Sequence, residues 1–136
     1  MIIDFEEKEV KGTFELKGGG KVHLRLLNAD DFKAIRKACV KKRAEYPLVG
    51  EGKAARYQRF EYEDFDAEKF AAMVNDRNIT GWDDLYDRNE KPIPVTPENK
   101  TLLMERVAEF KEAVTEGNKA LQEKEKAEAK AAEKNS

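Results

Sequence analysis

Thr96-Pro97-Glu98 and the apolar positions after it constrain this chain more than any other stretch. Thr is a strong N-cap. Pro fits the first helical position, where an amide would lack an intrahelical acceptor anyway, and Glu suits the positive end of the helix dipole. Leu103, Val107, Phe110, Val114 and Leu121 then follow at spacings of 4, 3, 4 and 7, with Gly117 at the missing position. That pattern predicts one long helix with a narrow, continuous apolar seam. The seam covers fewer than the three to four heptads that define a coiled coil, which favours packing on its own domain over self-association. After Leu121, residues 122–136 carry no large apolar side chain. Pairs such as Lys124 with Glu128 add only about 0.2–0.5 kcal/mol each to a helix, so no core can form there. The chain therefore divides into one α+β domain, residues 1–121, and a charged tail, residues 122–136. The tail reads as a solvated helical extension or as disorder that folds on a partner.

The domain begins extended. Thr13-Phe14-Glu15-Leu16 and Val22-His23-Leu24-Arg25-Leu26-Leu27 flank Lys17-Gly18-Gly19-Gly20-Lys21, a hairpin pattern whose glycines supply the positive φ of the turn. Val22, Leu24 and Leu26 share one face, and His23 and Arg25 the other. Asn28 then caps a helix, with Asp31 at N3 and Leu27 placed to staple against Phe32. Phe32, Ile35 and Cys39 point to the core, and Lys41, Lys42 and Arg43 lie near the helix C-terminus, where the dipole suits them. Residues 46–52, with Pro47, Gly50 and Gly52, read as a loop. Residues 56–64 read as extended, because Phe60 and Tyr62 alternate with charged residues. Asp66 caps a second helix, stapled by Phe65 and Phe70 and ending near Asn78. A short extended segment around Trp82, a turn at 89–91 and Pro92-Ile93-Pro94 lead into the Thr96 cap. The expected fold is α+β: a small N-terminal hairpin or sheet, about three helices, and a long charged C-terminal helix.

Charged residues make up 40% of the chain, but Lys+Arg (26) and Asp+Glu (28) nearly cancel. Without a clustered basic excess, neither nucleic acid nor an anionic membrane is an expected partner. No apolar run approaches a membrane span, and Met1-Ile2-Ile3 leads directly into acidic residues rather than a signal sequence, so a soluble, cytoplasmic protein is expected. His23 is the only histidine and Cys39 the only cysteine, which gives no recognisable zinc set or nucleophile dyad. Gly18-Gly19-Gly20-Lys21 lacks the spacing of a phosphate loop, and the acidic run 61–68 lacks the glycine and terminal Glu of a calcium loop. No metal, cofactor or catalytic group is expected, and the chain reads as a non-enzyme. An enzyme would need His23 grouped with two or more carboxylates. Trp82 and Tyr86 fit two readings, an exposed aromatic anchor or a lid on the long helix.

From Asp66 to Phe110 the order of elements resembles the tail assembly chaperone-like proteins of tailed bacteriophages and prophages. The residues that carry the resemblance are Ile79-Thr80-Gly81-Trp82, the acidic Asp83-Asp84-Leu85-Tyr86-Asp87 stretch, the Pro-x-Pro exit, and Thr96-Pro97-Glu98-Asn99-Lys100 before a leucine-rich helix. The opening Val22-His23-Leu24-Arg25-Leu26-Leu27-Asn28 is similar as well. Asn89-Glu90 departs from the pattern, which more often has Gly in that turn. The resemblance implies a phage tail morphogenesis protein that binds the tape measure protein in the bacterial cytoplasm. The alternative is a structural tail or connector subunit retained in the virion. Trp82, Tyr86, Leu103, Val107, Phe110 and Val114 are the candidate partner-binding residues. If they bind a client, Phe110→Asp should abolish co-purification and leave the domain folded.

Overall fold

The computed structural model describes residues 1, 3 and 8–134. The acidic start at 4–7 and the last two tail residues lie outside the described residues. Its centre is a three-stranded antiparallel sheet in the order β1 (Lys11–Glu15), β2 (Lys21–Arg25), β7 (Ile79–Asp83). β1 and β2 form the expected hairpin, with Gly19 (φ 97°) and Gly20 (φ 88°) in the left-handed region of its turn. A bulge between His23 and Leu24 shifts the register along β7. Val22 and Leu24 are buried from one side of β2, as alternation requires.

α1 (Ala29–Cys39) starts with a complete capping box. The Asp31 amide donates to Asn28 Oδ1 (2.9 Å) and the Asn28 amide donates to Asp31 Oδ2 (3.0 Å). α1 stops at Cys39, before the basic run. Val40 begins a strand, β3 (Val40–Glu45), so Lys41, Lys42 and Arg43 lie in a sheet rather than in a helical last turn. β3 pairs antiparallel with β6 (Phe60–Phe65). The expected loop at 46–52 contains β4 (Leu48–Val49), which pairs with β5 (Arg56–Tyr57) around a 3-10 turn at Gly52–Ala54. Gln58 N donates to Pro47 O (3.1 Å) and joins the two ladders. Residues 40–65 thus form one long two-stranded arm, and the extended reading of 56–64 holds. The arm is not legible as a unit in the sequence because β3 pairs with β6 across the intervening β4–β5 hairpin.

α2 (Ala67–Asn78) has the expected cap, Lys69 N donating to Asp66 Oδ1 (3.0 Å), and the expected staple, with the Phe65 and Phe70 rings 5.4 Å apart. The long helix is in fact two: α3 (Pro97–Arg106), capped by Thr96, and α4 (Ala108–Lys134). Val107 separates them with extended backbone (φ −113°, ψ 100°). Val107's own backbone groups stay paired, its amide donating to Leu103 O and its carbonyl accepting from Lys111 N. α4 continues through the tail to Lys134, and Leu121 is its last buried residue among those described.

α4 lies across β1 and β2. Its Phe110, Ala113, Val114 and Leu121 close a core with Leu16, Val22, Leu24, Ile79 and Trp82. Where α4 meets the sheet most closely stands Gly117, whose position in the seam is therefore a contact point rather than a gap. The buried Asn78 side chain exchanges two hydrogen bonds with Asn118 (2.8 and 2.9 Å) and donates to Arg25 O (2.9 Å), tying the end of α2 to α4 and β2. Lys100, buried at its stem, donates to Asp76 O and Oδ1 (3.0 Å each) and fixes α3 to α2.

A second polar knot has a testable consequence. Asp31, with 12% of its side chain exposed, accepts from Arg25 (3.0 and 3.2 Å) and Arg77 (3.3 Å). The Arg25 hydrogen bonds, with help from the Asn28 amide and Arg77, outweigh burial and hold its carboxyl at about 2, below the usual 3.8. A carboxylate depressed in the folded state stabilises at pH above its unfolded value and stops doing so as pH falls through the folded one. Asp31→Asn is therefore expected to cost roughly 1–2 kcal/mol at pH 7, after discounting for solvent screening. In urea titrations at a series of pH values, that difference should shrink between about pH 4 and pH 2.

Candidate protein-binding groove

The turn after β7 is built from local chemistry. Asp87 Oδ1 accepts from the Asn89 and Lys91 amides (2.8 and 3.1 Å), an Asx-type turn. Glu90 takes a positive φ (60°) where glycine would be unstrained. Tyr86 bridges to Pro92, and Ile93 N donates to Leu85 O (2.9 Å). On the core side the Trp82 indole N–H donates to Ile93 O (2.9 Å), and on the helix side the Asn99 side-chain Nδ2 donates to Pro94 O (2.9 Å). The Pro-x-Pro segment is thus pinned along its length, as a rigid lead-in to the Thr96 cap.

Between this segment and the α3–α4 junction lies an open cleft of about 340 Å³. Ile93, Pro94, Leu102, Leu103 and Val107 give it an apolar floor and wall, with Asp87, Asn99 and Arg106 at the polar margin. Leu102 and Val107 are each more than a third exposed, and the adjacent Val95 and Tyr86 more so. The break at Val107 produces the exposure: it ends α3 in extended backbone, and Val107 is exposed while Phe110, three residues on, is buried.

The six sequence candidates therefore separate. Leu103 and Val107 line the cleft, and Tyr86 stands exposed on the neighbouring turn, where its hydroxyl donates to Asp84 (3.1 Å) and its pKa is raised by that bond. Trp82, Phe110 and Val114 belong to the core; Trp82 and Phe110 meet edge to face, 5.9 Å between centroids. The continuous seam is divided, its first two residues in the cleft and the rest beneath α4, so Phe110→Asp tests folding rather than binding. Leu102 was missed as a lining residue, and Ile93 and Pro94, which the sequence offers as a recognition element but more readily as a rigid lead-in to the Thr96 cap, line the cleft too. Their signal was present in an apolar residue between two prolines and in the Leu102-Leu103 pair, which gives α3 apolar groups beside the seam.

His23 sits apart from the cleft on the outer side of the sheet. Thr13 Oγ1 lies 2.8 Å from His23 Nδ1, and Asp83 Oδ2 lies 2.7 Å from Nε2. The group has the partners of a hydroxyl–imidazole–carboxylate chain but one carboxylate. Its evident work is to join β1, β2 and β7 across the face opposite the core. Cys39 is buried, its thiol 3.8 Å from Met73 Sδ. Among the described residues there is no His/Cys/Asp/Glu group suited to a metal ion, and no helix long and apolar enough to cross a membrane. Comparison with protein-family models, with curated proteins and with solved structures finds no match for this chain.

Proposed function

We propose that this is a non-enzymatic protein of phage tail morphogenesis that acts in the bacterial cytoplasm as a tail assembly chaperone, holding an amphipathic helical segment of the tape measure protein in the cleft. The observation that carries the reading is the cleft itself: an apolar trough beside the α3–α4 junction, left open in a chain of which 40% of the residues are charged. A groove of this kind receives the apolar face of a helix, whose anchors recur at i, i+3 and i+7. A client with long exposed apolar stripes would be kept soluble by a partner that covers them and is itself highly charged. The residues that line the cleft all fall within the stretch that resembles the family, Asp66 to Phe110.

The combined variant Leu102→Asp with Val107→Asp tests this. Both side chains are already partly in water, so the melting temperature should move little, while recovery of a co-expressed long helical tape measure protein on the tagged chain should fall at least tenfold. Unchanged recovery would remove the cleft from the mechanism. A gene for such a long helical protein should also flank this one, and its absence would count against the whole reading. The protruding arm favours a second reading, a structural tail or connector subunit. Mass spectrometry of purified particles separates the two, since the chaperone is absent from the virion and the subunit present.

A further inference from the structure

The arm formed by residues 40–65 stands off the body. At about 3.3 Å per residue each leg reaches on the order of 30 Å. Its strands β3 and β6 pack against each other and are tied to the body mainly at their base, where Asp66 N donates to Cys39 O and Phe65 meets Phe70. Every residue of β4, β5 and β6 is exposed, and so are all but the first of β3. Tyr46, Leu48 and Tyr57 lie mostly in water near the tip, Tyr57 at 75%. A two-stranded ribbon of this length is marginal alone, and sheets become independently stable at three strands or more. Both of its long edges carry unpaired backbone donors and acceptors, a template for another strand.

The two edges differ in charge. β3 carries Lys41, Lys42 and Arg43, and β6 carries Glu61, Glu63 and Asp64. Within the chain Lys41 stands opposite Asp64 and Lys42 opposite Glu63. Among the described residues, however, Lys41, Lys42 and Glu63 take part in none of the ion pairs; Arg43 alone reaches across, to Asp64 (2.7 Å). Charges directly opposed across strands attract when opposite and repel when alike. A two-fold pairing of arms would set β3 against β3 or β6 against β6, like against like. Setting the β3 edge of one copy beside the β6 edge of the next brings opposite charges together. It also keeps the strands antiparallel, as they are within one arm.

We propose that the arms of successive copies join edge to edge, β3 to β6, in a head-to-tail assembly that closes into a ring or continues as a filament. Such contacts are heterologous, and the rotation between copies decides closure. The occupant of the arm's edge is thus a second copy of this chain, and the proposal does not depend on what the cleft binds.

Light scattering on size-exclusion fractions tests it across a range of concentrations. The wild-type chain should assemble beyond a dimer. The variants K41E/K42E and E63K/D64K should each be monomeric alone and should assemble when mixed, because each then meets an edge of opposite charge. The variant carrying all four substitutions restores opposition within its own arm and should assemble with itself, yet exclude differently tagged wild-type chains. A wild-type chain that stays monomeric or stops at a dimer overturns the proposal. So do two double variants that fail to assemble on mixing, or a fourfold variant that mixes freely with wild type.

Discussion

Phe110→Ala should cost about 3–5 kcal/mol, the range for removing a fully buried aromatic side chain and leaving a cavity. Phe110 is the largest fully buried side chain and meets Trp82 edge to face, so the substitution also removes an aromatic pair. In a domain this size that loss corresponds to a fall in melting temperature on the order of 10–20 °C, read by calorimetry or circular dichroism. Against a typical total of about 5–15 kcal/mol, a less stable domain would not fold at all at 37 °C. Tyr86→Ala is the control: its side chain is more than half exposed and should change stability by less than about 0.5 kcal/mol. Equal effects at the two positions would mean that α4 does not cover the sheet as described.

The second large effect is expected at Gly117. In an exposed helix, replacing glycine gains about 1 kcal/mol from propensity. Here a Cβ would stand 2.7 Å from both Leu24 Cδ1 and Phe14 Cδ2. Leu24 is fully buried and cannot move aside without disturbing Val22 and Ile79 beside it. Gly117→Leu forces α4 away from the sheet, and overpacking of this kind costs typically 1–3 kcal/mol, outweighing propensity. Urea unfolding should show a lower midpoint with an unchanged slope. A stabilised Gly117→Leu would mean that the helix does not approach the sheet closely at this position. Gly117→Ala sets the two effects most nearly in balance and should fall between wild type and the leucine variant.

Most of what the sequence made legible was local. Asn28, Asp66 and Thr96 each satisfy an amide three residues on, so the start of every helix but the last follows from four-residue chemistry. The hairpin followed from its glycines and alternation, and the Phe65–Phe70 staple from spacing. The strand at Val40–Glu45 was hidden because Lys41, Lys42 and Arg43 suit a helix C-terminus as well as a sheet edge. Only its partner twenty residues away decides between them. The cleft was half visible: Leu103 and Val107 stood out by periodicity, but Ile93 and Pro94 join them only through the Trp82 and Asn99 hydrogen bonds.

The break at Val107 divides the two kinds of information most clearly. Nothing around it stops a helix: Met104, Glu105, Arg106, Ala108 and Glu109 are ordinary helix residues, with no glycine or proline among them. A β-branched valine yields more readily than its neighbours, but that preference is weak. Two packing demands decide it. Lys100 holds α3 to Asp76 on α2, and Phe110, Val114 and Leu121 hold α4 over the β1–β2 face. A straight helix from Pro97 would have to give up one of them. The sequence by itself set where α3 starts and where the core must end, because the Thr96 cap and the disappearance of large apolar side chains after Leu121 are written residue by residue. The tertiary structure alone decided that the seam divides at Val107, burying its C-terminal part and opening the rest as a cleft. Burial depends on what each helix lies against, and that is fixed by contacts between residues far apart in the chain.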